Sequence, residues 1–125
     1  MIELVKEPPA DFTPRANALE LLGATSLDNM FLMSEVCFRF GNKLLGGVGR
    51  SSLTSEREMW VMLGEEFRPI DVRKMRPFVS IAAAHFHYIR ARVRLGYRAG
   101  AAFAFAFGFM WEEDGANYHY FSVRG

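Results

Sequence analysis

The sequence predicts an α+β domain in which short strands are interspersed with helices, and three observations carry that expectation. YIRARVRL, beginning at Tyr88, alternates strictly, with Ile89, Ala91, Val93 and Leu95 on one face and Arg90, Arg92 and Arg94 on the other. A period of two held over eight residues is a strand signature. Two segments have a proline near their start and continue in helix-forming residues, DFTPRANALELLG from Asp11 and PIDVRKMRPFVSIAAAHF from Pro69. Finally, Gly41-Asn42-Lys43 and Asp114-Gly115 each stand between β-rich runs, as hairpin turns do.

Taken in order, Ile2 to Val5 form a short strand closed by Pro8 and Pro9. A helix follows, with Asp11 or Thr13 as N-cap, Pro14 at its first position and Gly23 just past its end. SLDNMFLMSE reads as a short second helix or turn. VCFRF and LLGGVG make a hairpin, RSSLTSE a polar loop and REMWVML a strand. The helix from Pro69 carries Pro77 in its middle, which implies a kink or a second start. After the alternating strand comes YRAGAAFAFAF. Its AFAFAF alternates like a strand, yet Phe103 and Phe107 stand at helical spacing, and Gly108 sits where the C′ glycine of a helix would. FMWEEDGANYHYFSV then closes the chain as a hairpin.

The 125 residues suffice for one ordinary core, so a single domain over 1–125 is expected, and 50% hydrophobic with 23% charged residues is a globular balance. The apolar run at AFAFAF is bounded by Arg98 and by Glu112, Glu113 and Asp114, and is too short for the roughly 20 residues of a membrane span. The chain opens on MIELVKEPPADF, without the basic and apolar regions of a secretion signal, which places it inside a cell or particle. Cys37 is the single cysteine, in a strand context, and is expected to be a buried small hydrophobe in a reducing compartment. Charge is uneven. Residues 68–98 set Arg68, Arg73, Lys74, Arg76, Arg90, Arg92, Arg94 and Arg98 against Asp71 alone, so one face is expected to be basic.

The element order, together with the segment from Val93 to Phe109 and the hairpin after it, resembles the GNAT superfamily of acyl-CoA-dependent N-acetyltransferases. In that family the penultimate helix carries Asn, then Ala three, Tyr seven and Gly-Phe eleven and twelve residues on. Gly108-Phe109 matches the closing pair, with Tyr97 at the Asn position, Gly100 at the Ala and Ala104 at the Tyr. LLGGVG, EMWVML and EEDGANYHYFSVRG look, more narrowly, like small GNAT-like internal virion proteins of short-tailed bacteriophages. The resemblance implies a GNAT-like mixed, mostly antiparallel sheet flanked by helices, acetyl-CoA as cofactor if the chain is active, and a place in the host cytoplasm or virion interior.

Chemistry is sparse beside that likeness. The family holds the CoA pyrophosphate on backbone N–H groups of a glycine-rich loop before a helix, whereas this chain has GEEFRPIDVRKM there, with Gly64 followed by Glu65 and Glu66. Acids at a helix start repel phosphate. GGVGR at Gly46 to Arg50 reads as a bulge or edge-strand bend rather than a phosphate loop. Ala104 replaces the tyrosine that protonates the leaving thiolate. The remaining catalytic candidates are Glu58 as base and Tyr97, and an atypical cofactor grip would fall to Gly64, Arg68 and Arg73. His85 and His87 stand two apart at a helix end and His119 in the closing hairpin, so no metal site is expected.

Arg90, Arg92 and Arg94 are expected to form a face open to water, anions or a partner, and are the candidate partner-binding residues. Aromatics do not interleave with them along the strand, which leaves nucleic acid unsupported and favours a protein partner. The expected function is therefore a degenerate acetyltransferase that binds a virion or host protein without cofactor, the alternative being an active N-acetyltransferase with an atypical acetyl-CoA site.

Overall fold

A computed structural model describes residues 2–16, 18, 20, 26–51 and 55–125. Seven strands join in the order β1-β2-β3-β4-β5-β7-β6. They are β1 (Ile2–Val5), β2 (Ser34–Phe40), β3 (Leu44–Arg50), β4 (Arg57–Leu63), β5 (Tyr88–Arg94), β6 (Met110–Asp114) and β7 (Tyr118–Arg124), with helices α1 (Leu27–Leu32), α2 (Val72–Phe86) and α3 (Arg98–Ala106). β4 and β5 are parallel, with Glu58 level with Arg90, while β1–β2, β2–β3, β5–β7 and β6–β7 are antiparallel. The mixed, mostly antiparallel α+β architecture is thus as expected. None of the described helices is long and apolar enough to cross a membrane.

The chain forms two compact units, Met1–Ser55 with Met59–Arg68, and Glu56–Glu58 with Pro69–Gly125. In the first, the Gly41-Asn42-Lys43 turn joins β2 to β3 as anticipated, and Ser26 caps α1 by accepting from the Asn29 N–H at 3.1 Å. Phe12, Phe31, Cys37, Leu45 and Met62 pack into one core, against which Trp60 stands edge-on to Phe31. Burial pushes the Cys37 thiol up, consistent with an inert core position.

The glycines of LLGGVG do more than was anticipated. β3 is buried from Leu44 to Gly49. The β2–β3 register slips between Ser34 and Val36, opposite Gly49 and Val48, so the pairing is irregular within this run. In addition, a Cβ at Gly46 would strike the Phe38 ring and one at Gly47 the Trp60 indole, so these two glycines leave space for aromatic rings in a strand interior. The Trp60 N–H in turn donates to Ser34 Oγ at 2.8 Å, and Ser34 donates to the Met30 carbonyl.

Pro14 departs from expectation. It sits in an antiparallel bridge with Gly64, the Arg15 N–H donates to Leu63 and the Thr13 carbonyl accepts from Glu65, so extended pairing occupies the backbone where a helix start was read. The rest of that expected helix, with its Gly23 stop, lies largely outside the described residues, as does much of the RSSLTSE loop.

In the second unit, α2 is a single helix that runs through Pro77 with no second start. Met75 and Val79, buried on either side of the proline, hold one continuous face. The stretch from Arg98 is helical, as expected. α3 ends in a Schellman pair, with Gly108 at φ +104°, its N–H donating to Phe105 and the Phe109 N–H to Ala104, both at 3.0 Å. Phe107 and Phe109 are buried while Phe103 is only half-buried beside Phe107. The alternating phenylalanines thus reflect helical wrapping, and Phe105 faces water.

Candidate functional site

β5 sends Tyr88, Arg90, Arg92 and Arg94 to one face, and its antiparallel register with β7 sets Arg124 opposite Tyr88, Ser122 opposite Arg90, Tyr120 opposite Arg92 and Tyr118 opposite Arg94. Arg124, Arg90 and Arg92 then each find a ring. The Arg124 guanidinium lies 4.5 Å from the centre of Tyr88, Arg90 4.2 Å from Tyr120 and Arg92 4.9 Å from Tyr118. The last two are diagonal contacts, the distance at which long side chains meet across a pleat.

β6 adds the acids. Its register with β7 slips between Trp111 and Glu113, and this irregularity lets consecutive residues reach the same face. The Tyr88 hydroxyl donates to Glu112 at 2.6 Å, and Arg90 Nη2 donates to Glu113 at 2.9 Å while standing 3.4 Å from Glu112. From β4, Glu58 Oε1 is 3.4 Å from Arg92 Nε. Burial first and the Glu112 hydrogen bond second push the Tyr88 phenol up to about 12, while that same bond is the main cause holding Glu112 below the usual carboxylate range. Burial works against the charge on Arg90, but Glu113, Tyr88 and Glu112 outweigh it and its pKa stands raised.

This geometry corrects the expected open arginine face. Arg90 is 7% exposed, Arg92 is half-buried and only Arg94 reaches the surface. The reason is the slipped register of β6, which delivers Glu112 and Glu113 over a strand that by itself looks unpaired. Tyr118 and Tyr120 do interleave with the arginines, from the neighbouring strand, but their faces are already taken by guanidinium groups. Two buried atoms here, Glu58 Oε2 and Arg90 Nε, have no hydrogen-bond partner among the described residues.

The catalytic candidates are not brought together. Glu58 meets Arg92 on one face of β5, whereas the Tyr97 ring crowds the Cβ position of Gly100 together with Val93, a residue of the opposite face. Tyr97 is half-buried, and a Cβ at Gly100 would strike its ring and Val93, so Gly100 seats the tyrosine against the strand. Ala104 is buried.

The backbone amides of the GEEF loop bond within the chain. The Gly64 N–H donates to the Lys43 carbonyl at 2.8 Å, Glu65 to Thr13 at 3.0 Å and Phe67 to Gly64 at 3.2 Å. Arg68 and Arg73 are both exposed. At the start of α2 stands the fully buried Asp71 side chain, with Lys74 Nζ 3.9 Å away. His119 pairs with Asp114 at 2.6 Å, and among the described residues no three metal-ligating side chains cluster. A shallow cavity of about 450 Å³ lies at the end of β5, lined by Arg94, Leu95, Ala116, Asn117 and Tyr118.

Sequence reasoning missed Tyr88, Glu112, Glu113, Tyr118 and Tyr120. The Asp114-Gly115 turn marked β6 and β7 as a hairpin, but Tyr118 and Tyr120 reach the arginines through the long-range register of β7 on β5. The slip between Trp111 and Glu113 left no such mark.

No protein-family model matches the chain, and no curated protein does. Among solved structures the chain is similar to one described as a probable acetyltransferase, at 12% identity over 71% of this chain and with a TM-score of 0.49. The chain spans 59% of the length of that structure.

Proposed function

We propose that this chain is a binding domain on a GNAT-like scaffold, one that takes a protein partner in the virion or host and does not turn over acetyl-CoA. The observation that carries the reading is the fate of the loop amides. Phosphate binding of the kind the resemblance implies needs free N–H groups at a helix start. Here the amides of Gly64, Glu65 and Phe67 donate to protein carbonyls, and the Asp71 side chain is buried at the start of α2. The separation of Glu58 from Tyr97 and the presence of Ala104 at the expected tyrosine position support the same conclusion.

Calorimetric titration with acetyl-CoA tests it. The expected result is no saturable binding in the micromolar range. A Kd of a few micromolar, about −7 to −8 kcal/mol, overturns the reading and points to an atypical cofactor grip by Arg68 or Arg73.

A further inference from the structure

We infer that the outer edge of β6 is a docking strand for an extended, basic and apolar peptide segment. β6 stands last in the strand order, and among the described residues β7 is the strand it pairs with. An edge strand offers backbone N–H and C=O groups to an incoming strand. This edge is unusual in also presenting large apolar side chains, Met110 at 62% and Trp111 at 59% exposure, directly beside three consecutive carboxylates.

The register fixes what each face offers. Met110 is paired with Ser122 and Glu113 with Tyr120, both on the arginine face of β7, whereas Trp111 is paired with Phe121 and Asp114 with His119, on the opposite face. Both faces of the edge therefore read apolar at the start of β6 and acidic at its end. The acids remain reachable, since the Glu113 side chain is 63% and the Asp114 side chain 48% exposed despite their contacts with Arg90 and His119. The Trp111 N–H donates to Asp114 at 2.9 Å, which fixes the indole on this edge.

Charge decides the occupant. A second copy of β6 paired parallel in register would oppose all three carboxylates to their like, and one paired antiparallel would set Glu112 against itself and leave Asp114 and Glu113 opposite Met110 and Trp111 rather than opposite cations, both destabilising. A strand with two apolar residues against Met110 and Trp111 and two cations against Glu113 and Asp114 satisfies every exposed group at once. This inference rests on the binding reading above and adds the chemistry of the partner.

The test is fluorescence anisotropy with a labelled Lys-Lys-Thr-Val-Val-Thr-Lys-Lys peptide, whose symmetry fits either strand direction, titrated with the full chain. Saturable binding is expected, weakening as salt rises. The same peptide with Glu in place of Lys, and the double variant Met110→Ser, Trp111→Ser, are each expected to bind at least tenfold more weakly. No anisotropy change up to millimolar protein, equal binding of the Glu peptide, or unchanged binding by the double variant overturns the inference. So does self-association of the chain through this edge, seen by sedimentation as dimer lost in that variant. The Glu-peptide comparison needs no substitution in the protein, and the acetyl-CoA titration stands apart from all of these, so the failure of one reading is distinguishable from the failure of the other.

Discussion

Replacing Arg90 with Ser should be costly while the same change at Arg94, four residues along one face of one strand, should not. Arg90 is 7% exposed, donates to Glu113 at 2.9 Å and covers the Tyr120 ring at 4.2 Å. A hydrogen bond to a charged group contributes about 1.5–3 kcal/mol, and a desolvated cation–π contact about 1–2 kcal/mol. Against this, removing a buried charge recovers its desolvation penalty, and Glu113, being exposed, is rehydrated when its partner goes. The net expectation is a loss of about 2–4 kcal/mol for Arg90→Ser, and a change within about 0.5 kcal/mol for the exposed Arg94→Ser. Urea unfolding followed by circular dichroism reads the difference. At a slope near 2 kcal/mol/M the Arg90 variant should unfold about 1–2 M earlier. Arg90→Lys, which keeps the charge but loses the fork and the planar stacking, should fall between. Equal midpoints for Arg90→Ser and Arg94→Ser would refute the claim that the slipped register of β6 buries and pairs the middle of this strand.

Phe107→Ala should cost about 3–5 kcal/mol by the same assay, because the ring is 6% exposed and its loss leaves a cavity, whereas Phe105→Ala, at a 63% exposed position on the same helix, should be nearly neutral. Gly47→Ala should cost about 1–3 kcal/mol and shift the tryptophan emission, since the new Cβ meets the Trp60 indole and Ser34 hydroxyl. Among the four tyrosines, one should titrate near pH 12 in an absorbance titration and vanish in Tyr88→Phe. Because the Tyr88 pKa is raised on folding, the stability it contributes is complete below pH 10 and lost as pH rises toward 12. Glu112 has the opposite sign, its contribution being present above the ordinary carboxylate pKa and lost as pH falls through its lowered folded value.

Local pattern by itself determined the strands, the hairpins and two of the helices of this protein. Period two marked β5, Gly41-Asn42-Lys43 and Asp114-Gly115 marked the hairpins, and Gly108 resolved AFAFAF as a helix end, because each signal lies within a few residues of the element it governs. The strand context of SEVCFRF likewise marked Cys37 as a buried small hydrophobe. What tertiary structure alone decided was pairing across distance. Pro14 looked like a helix start until residues 63–65 claimed its neighbouring backbone groups. Gly46 and Gly47 carried no local sign that Phe38 and Trp60 need their space, because those rings come from other strands. Arg90 looked solvated, since its own strand carries no acid, and it is buried and ion-paired because a one-residue slip at Glu112 in β6 turns two glutamates to the same face. A slip of that kind is set by how two strands settle on a shared core, which no window of a single strand contains.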